Sequence, residues 1–345
     1  MNASARTIRQ VWIPRTGGPE VLEVREVPEP EPGPGQVRIR VAAAGVNFAD
    51  LLARMGLYPD APPLPAVVGY EVAGTVDRVG PGVTKVREGQ RVVSATRFGG
   101  YSEAVVVSAE YVAPLPDAVP FDRAAAIPVN YLTAWCMLVH LGNVRPGDRV
   151  LVHSAAGGVG LAAVQIARAR GAEVIGTASA AKHERLRAMG VAHTLDYRTA
   201  DLVAEIRRIT DGAGVDLALD AVGGASFRKS YRCLAPLGRL FVFGLSAAAP
   251  GPRRRWWPVL RSLARTPRFH PVSLMNDNRG VLGLNLGHLW SRRALLHAML
   301  EEIVDLVARG TLTPVVDTTF PFERAADAHR RLHARENFGK VLLVP

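Results

Sequence analysis

This sequence predicts an α/β fold in which a doubly wound parallel sheet is joined to a second, barrel-like β domain. Three observations carry the prediction. The chain has 345 residues, 48% of them apolar, so it exceeds the usual single-domain length and has ample material for a core. Residues 11–128 read as short apolar strands punctuated by glycine and proline. From about residue 129 strands and helices alternate with short links, the signature of a doubly wound sheet. Two domains sharing a cleft are expected.

In the first domain Val37-Arg38-Ile39-Arg40-Val41 alternates with period two after the proline-rich loop 28–34, as a half-buried strand does. Val72–Val76, Arg91–Val93 and Ala104–Val107 continue the pattern, with Gly80-Pro81-Gly82 and Gly99-Gly100 in the gaps. In the second domain Arg149–His153 is an apolar strand, followed by a glycine turn and a helix from Val159 to about Arg170. Strand 173–176, helix 181–189, strand 192–196 and helix 199–209 follow, then strand 215–220, helix 226–234, strand 238–243 and strand 281–285. Residues near 290–309 form an amphipathic helix with Leu295, Met299, Ile303 and Leu306 on one side. The end, Gly339–Val344, is a strand that returns to the first domain, and no internal repeat is present.

Bulk features narrow the class. The start, Met1-Asn2-Ala3-Ser4-Ala5-Arg6, lacks the apolar region of a secretory signal, and no apolar run is long enough to span a bilayer. Cys136 and Cys233 are the only cysteines, which argues against a disulfide framework and fits a reducing cytoplasm. The formal charge is +11, but lysine occurs only at 85, 182, 229 and 340 and arginine supplies the rest. Solvated surface charge is the first reading of that excess, ahead of nucleic acid or membrane.

Ala155-Ala156-Gly157-Gly158-Val159-Gly160 lies between a strand and a helix, the context that makes such a turn a dinucleotide site. A Cβ here would keep the pyrophosphate from the amides at the helix N-terminus. A plain tight turn is the alternative; the surrounding strand–helix–strand pattern favours the nucleotide. An NAD site places an acid about 20 residues beyond the glycines. Ser179 stands there, and Gly176-Thr177-Ala178-Ser179-Ala180-Ala181-Lys182 contains no carboxylate. Lys182 can pair with a 2′-phosphate, so NADPH is expected, with a merely solvated lysine as the alternative.

These motifs, with Ala44-Gly45-Val46-Asn47-Phe48-Ala49-Asp50, resemble the medium-chain dehydrogenase/reductase superfamily in its quinone-oxidoreductase branch. Gly56-Leu57-Tyr58-Pro59, Asn130–Ala134 and Leu195-Asp196-Tyr197 carry the likeness along nearly the whole chain. Val152–Gly160, Gly176–Glu184 and the Asn337–Pro345 tail are further similar to the vesicle-amine-transport subgroup of synaptic vesicle membrane proteins. The resemblance implies a GroES-like domain, 1–128 with 286–345, enclosing a Rossmann domain, 129–285, with an insertion at about 247–280. It implies a nicotinamide in the cleft between them and a homodimer. By position Asn47, Asp50, Tyr58 and Thr133 would line the nicotinamide end. Gly176, Ser179, Lys182 and Tyr197 would hold the adenosine phosphate end, and Phe243 with Gly244 the middle. Asn285 and Lys340 are carried over from the same comparison.

Zinc enzymes of that superfamily use a cysteine near the first strand–helix junction and a histidine in a Gly-His-Glu segment. Here those places hold Asn47 and, in Gly69-Tyr70-Glu71, Tyr70. Zinc takes sulfur, imidazole or carboxylate, so no metal site is expected, and two cysteines cannot build a four-cysteine structural lobe. A quinone, or an alkene conjugated to a carbonyl, needs no metal. It accepts hydride and delocalises charge onto oxygen, given alignment and hydrogen bonds to that oxygen. Tyr58 and Asn47 are the candidate donors, with solvent or Tyr58 supplying the proton; the alternative is that Asn47 and Asp50 only brace a loop. An enoyl-thioester reductase, or a membrane-associated scaffold of the same fold with weak turnover, are the other functional readings.

Other residues read as structural. His153 ends a strand and is expected as a packed core histidine, Cys136 and Cys233 as inert buried thiols, and His183-Glu184 as a solvated pair. The segment Pro250–His270 mixes arginine with Trp256, Trp257, leucine and phenylalanine. It fits a lid over a lipophilic substrate, a peripheral contact with an anionic bilayer, or, least well, RNA.

Overall fold

The computed structural model describes residues 6–345; the expectation about a signal region falls on Met1–Ala5, which lie outside the described residues. The chain divides into two units. The first runs to Leu132 and takes in Gly251–Arg254 and Leu286–Pro345; the second is Thr133–Pro250 with Arg255–Asn285. The boundary expected at 128/129 falls inside the helix Pro128–Trp135, whose first turn is tied to the first unit by Val129 N donating to Glu71 Oε2 at 2.7 Å. Residues 251–254 leave the expected insertion for a similar reason. Arg54 Nη1 donates to Pro252 O at 3.2 Å, and Arg253 pairs with Glu20 at 2.7 Å.

The second unit is built on six parallel strands in the order His193–Asp196, Glu173–Ala178, Arg149–Val152, Val215–Asp220, Leu234–Val242 and Gly280–Gly283. Numbered along the chain this is the 3-2-1-4-5-6 order of dinucleotide-binding sheets. Strands covered on both faces need apolar side chains on both, hence the runs around Leu151, Ile175, Ala218 and Leu240, with Ile206 and Phe227 packed on them from helices. The helix expected from 199 starts at Leu202, because Asp201 caps it by accepting from Val203 N and Ala204 N at 3.1 and 3.2 Å. The expected insertion folds as the helices Trp256–Arg265 and Pro271–Asp277, leading into the edge strand Gly280–Gly283.

In the first unit the sheet runs Val316–Pro321, Lys340–Val344, Gln36–Val46, Glu71–Val79, Arg91–Ala95 and Val112–Pro114, while Ala104–Ser108 also pairs with Gln36–Val46. A separate hairpin joins Thr7–Trp12 to Glu23–Pro28. The C-terminal strand sits antiparallel to the long one, Leu342 opposite Gly45. Its neighbours set Lys340 beside Asn47. In the helix Arg293–Ala308 the buried stripe is Leu296, Met299, Leu300, Ile303, Val304 and Val307. Leu295 and Leu306, expected on it, are half-buried at its margin. Two leucine-rich stripes one residue apart overlap here, and apolar content alone does not choose between them. Among the described residues no helix is long and apolar enough to cross a membrane.

Candidate active site

The second unit gathers its expected residues at the C-terminal ends of neighbouring parallel strands, where ligands of such sheets bind. After Arg149–Val152 the chain turns sharply: Ser154 adopts φ 52°, and Gly157 N donates to Ser154 O at 2.8 Å. Gly157 then caps the helix Gly158–Ala169. A Cβ on Gly160 would stand 2.3 Å from Ser154 O, so only glycine lets the helix start so close to the turn. Gly157, Gly158 and Val159 are half-exposed while Ala156 is buried, which leaves the amides of the first helical turn open to an anion. Gly176 lies inside the next strand; its Cβ would meet that of Ala155 at 2.9 Å, so its glycine serves the approach of strand and turn.

Ser179 and Lys182 lie in the turn after Glu173–Ala178, both half-buried, with Lys182 N donating to Ser179 O at 2.9 Å. Tyr197 follows the neighbouring strand, its ring 46% exposed with the Arg198 guanidinium 5.5 Å from its centre. A half-exposed aromatic ring with one guanidinium over it suits an adenosine phosphate, and Arg198 is a cation not singled out from the sequence. Asp196 brings a carboxylate to this turn from the neighbouring strand: its Oδ2 accepts from Ala180 N at 3.2 Å and its Oδ1 from Arg198 N at 2.9 Å. The backbone bond from Arg198, chief among these contacts, keeps its pKa below the ordinary carboxylate value. Both oxygens are thus engaged by the turn. Phe243 and Gly244 lie just beyond Leu234–Val242, half-exposed, and a Cβ on Gly244 would stand 2.8 Å from Ala221 O. Asn285 is exposed past the edge strand; Thr133 is 7% exposed in the helix that opens this unit.

Where the strand order reverses, between Arg149–Val152 and Val215–Asp220, a buried polar network sits that the sequence only half revealed. Asp220, fully buried, accepts from Val222 N, Ser226 Oγ and Ser230 Oγ, each at 2.7 Å. The Ser230 proton goes to Asp220, so His153 Nε2, 2.9 Å from Ser230 Oγ, is the donor in that pair. His153 Nδ1 lies 3.3 Å from Thr177 Oγ1. His153 is thus a satisfied core histidine, and Asp220 fixes the loop 221–224. Cys136 and Cys233 are buried, and burial pushes their thiols up to about 11 and about 12, far from nucleophilic.

In the first unit, Asn47 stands at the N-cap of the helix Phe48–Arg54, and Asp50 Oδ2 reaches back to accept from Asn47 N at 2.8 Å. Asp50 also accepts from Gly69 N and Tyr101 Oη, each at 3.0 Å, and is fully buried. That burial pushes its pKa up to about 7. Asp50 therefore lines no open surface; it braces the loop. The Asn47 amide donates to Glu71 Oε1 at 2.9 Å and accepts from Lys340 Nζ at 2.6 Å, while Lys340 and Glu71 form an ion pair. Lys340 is 3% exposed and Glu71 0%, so Lys340, expected against the cofactor, is committed within the protein. Asn47, 9% exposed, spends its amide on the same network, which leaves it little to offer an oxyanion. Tyr58 is half-buried, its ring edge-on to Tyr70 at 6.2 Å. The Tyr70 hydroxyl is buried beside Tyr58, and burial first raises its pKa.

Beside this network Arg54 is fully buried, yet its guanidinium meets two imidazoles: Nε lies 3.2 Å from His329 Nδ1 and Nη2 3.0 Å from His333 Nε2. Arginine only donates, so both nitrogens are acceptors and both rings neutral. Burial first, then Arg54, holds His329 well below its ordinary pKa and His333 at about 4. The unfolded chain takes up these protons near pH 6.5 and the folded chain refuses them. Stability is therefore complete above that pH and falls as pH drops towards 4. Asp50 acts oppositely, keeping a proton up to about 7 that the unfolded chain loses near 3.8, and so offsets one of the two histidines. His333→Gln should make the urea midpoint fall less between pH 7 and pH 5 than it does in the wild type. An unchanged fall would contradict the neutral pair.

The zinc question turns on the donor set. The positions that would carry a metal hold the Asn47 amide and the Tyr70 phenol, with the Lys340 ammonium on Asn47 Oδ1. Neither amide nor phenol is a zinc ligand of choice, and the residues do not fit the metal. Among the described residues no group of three His, Cys, Asp or Glu is placed to hold one.

The alcohol dehydrogenase GroES-like domain family matches residues 33–117, and the zinc-binding dehydrogenase family matches residues 189–343. The synaptic vesicle membrane protein VAT-1 homolog of Homo sapiens is 42% identical over 304 residues, 88% of this chain and 77% of the relative. The quinone oxidoreductase of Pseudomonas syringae pv. tomato DC3000 superposes with a TM-score of 0.86 at 34% identity, over 98% of this chain and 100% of its own. A mycobacterial protein complexed with NADPH gives the same TM-score, 0.86, at 34% identity, again over 98% and 100% of the two chains. The chain therefore belongs to the medium-chain dehydrogenase/reductase superfamily of oxidoreductases, beside the VAT-1 homologs and the quinone oxidoreductases.

Proposed function

We propose that the protein is a zinc-independent, NADPH-dependent reductase of quinones or α,β-unsaturated carbonyl compounds, working in the cytoplasm as a homodimer. One observation carries the reading: a half-exposed helix start at Gly157–Val159, closed to any Cβ at Gly160, in a chain that has Asn47 and Tyr70 where a zinc relative has its ligands. NADPH supplies the hydride when bound. The amides around Gly157–Val159 bind its pyrophosphate, and Lys182 with Arg198 meets the 2′-phosphate while Tyr197 offers its ring to the adenine. Asp220 holds the 221–224 loop, and Asp50 with the Asn47–Glu71–Lys340 group keeps the first-unit loop in place. The Tyr58 hydroxyl hydrogen-bonds the oxygen on which charge develops and holds the proton it receives. The structural relatives support the reading, since one is a quinone oxidoreductase and another was solved with NADPH.

Turnover of a panel of quinones and enones, followed as NADPH oxidation, tests the proposal. Activity on neither class would end it. Two variants divide the roles. Lys182→Glu should raise the KM for NADPH at least about tenfold, the worth of one charge-assisted hydrogen bond, and leave the KM for NADH nearly unchanged; equal effects would remove the 2′-phosphate assignment. Tyr58→Phe should cut kcat on the order of 100-fold without weakening NADPH binding. Full turnover in that variant would take the proton from Tyr58 and give it to solvent.

A further inference from the structure

The helix Trp256–Arg265 presents an apolar face to solvent. Trp256 is 59% exposed, Trp257 72%, Leu260 56% and Leu263 57%. At about 100° per residue these side chains and Ala264 span an arc of roughly 120°. Arg261 and Arg265 follow at its border, both exposed. The inward side is marked by Ser262, 6% exposed, which packs over Gly224: a Cβ there would lie 3.3 Å from Ser262 O. The helix is therefore seated on the body through one face and leaves its most hydrophobic face uncovered, which a water-soluble surface avoids without cause.

Charge says what fits that face. Arg255, Arg261, Arg265 and Arg268 are exposed, and no Asp or Glu occurs anywhere from residue 221 to residue 276. Tryptophan and leucine ringed by arginine, with no acid nearby, match the interface of an anionic bilayer, where the indoles sit among headgroups and the guanidinium groups meet lipid phosphate and carboxylate. An acid-free basic rim also argues against a second copy of this face, since like charges would oppose each other. We propose that the helix Trp256–Arg265 lies in the surface of an anionic lipid bilayer, apolar face down, and docks the protein there. The proposal is independent of which reaction the protein performs.

Co-sedimentation with phosphatidylcholine vesicles, with and without about 30% phosphatidylserine, tests it. The wild type should bind the anionic vesicles at least about tenfold better than the neutral ones and release in about 0.5 M salt. Its tryptophan emission should shift to the blue on binding. Trp256→Ala/Trp257→Ala and Arg261→Gln/Arg265→Gln should each lose most of the binding while keeping the circular dichroism spectrum and NADPH affinity of the wild type. Absence of binding to anionic vesicles at low salt would overturn the proposal, as would undiminished binding in the tryptophan variant. So would light scattering that shows a dimer which Trp257→Asp converts to monomer, because the face would then be covered by a second chain.

Discussion

Lys340→Met should lower the free energy of unfolding by about 3–5 kcal/mol, the usual result of leaving one partner of a buried ion pair alone. Glu71 is 0% exposed, and without the ammonium its carboxylate keeps only two donors, the Asn47 amide at 2.9 Å and Val129 N at 2.7 Å. Asn47 Oδ1 loses its donor in the same step. The loss should be felt across the first unit, because Lys340 opens the strand inserted between Val316–Pro321 and Gln36–Val46. Urea unfolding of Lys340→Met, Glu71→Gln and the double variant measures it. The double variant should recover most of the stability, since two neutral side chains leave no buried charge. Additive losses would show that the pair is not coupled.

Gly160→Val should weaken NADPH binding on the order of 100-fold, the cost of displacing a binding element by about an ångström. The clash is between the new Cβ and fixed backbone atoms. A Cβ at 160 meets Ser154 O at 2.3 Å and the Ala155 Cα at 2.8 Å, and no rotamer change relieves either. The helix Gly158–Ala169 must then slide away from the turn, taking its N-terminal amides from the phosphate. Gly251→Ala is the control, because a Cβ there meets nothing within 4 Å. NADPH affinity by fluorescence titration separates the two, and wild-type affinity in Gly160→Val would remove the turn from the cofactor site.

Local patterns in the sequence carried the second unit almost whole. A buried parallel strand must be apolar on both faces, so Arg149–Val152 and Val215–Asp220 stand out, and the glycine turn between strand and helix has few other uses. Pairings between distant segments were not legible. Nothing near Asn47 announces Lys340, and Asp50 reads as a polar loop residue until Tyr101 and Gly69 close over it. Residues assigned by position to the cofactor thus became braces. Asp220 and Arg198 were missed for the opposite reason: Asp220 read as the last residue of a strand and Arg198 as surface charge just past one, and their partners come from the chain around them only once it is folded. The Tyr58–Tyr70 contact is legible only once the strand from Glu71 is placed.

One comparison separates hydride transfer from NADPH without a metal from its alternatives. Values of kcat/KM for NADPH and NADH are measured with one quinone acceptor on enzyme stripped with a chelator and checked for metal content. Neither the chelator nor added zinc should alter turnover, and NADPH should be preferred at least about tenfold, as one charge-assisted contact to a 2′-phosphate gives. Equal use of both cofactors, or activity that returns only with zinc, would contradict hydride transfer from NADPH without a metal.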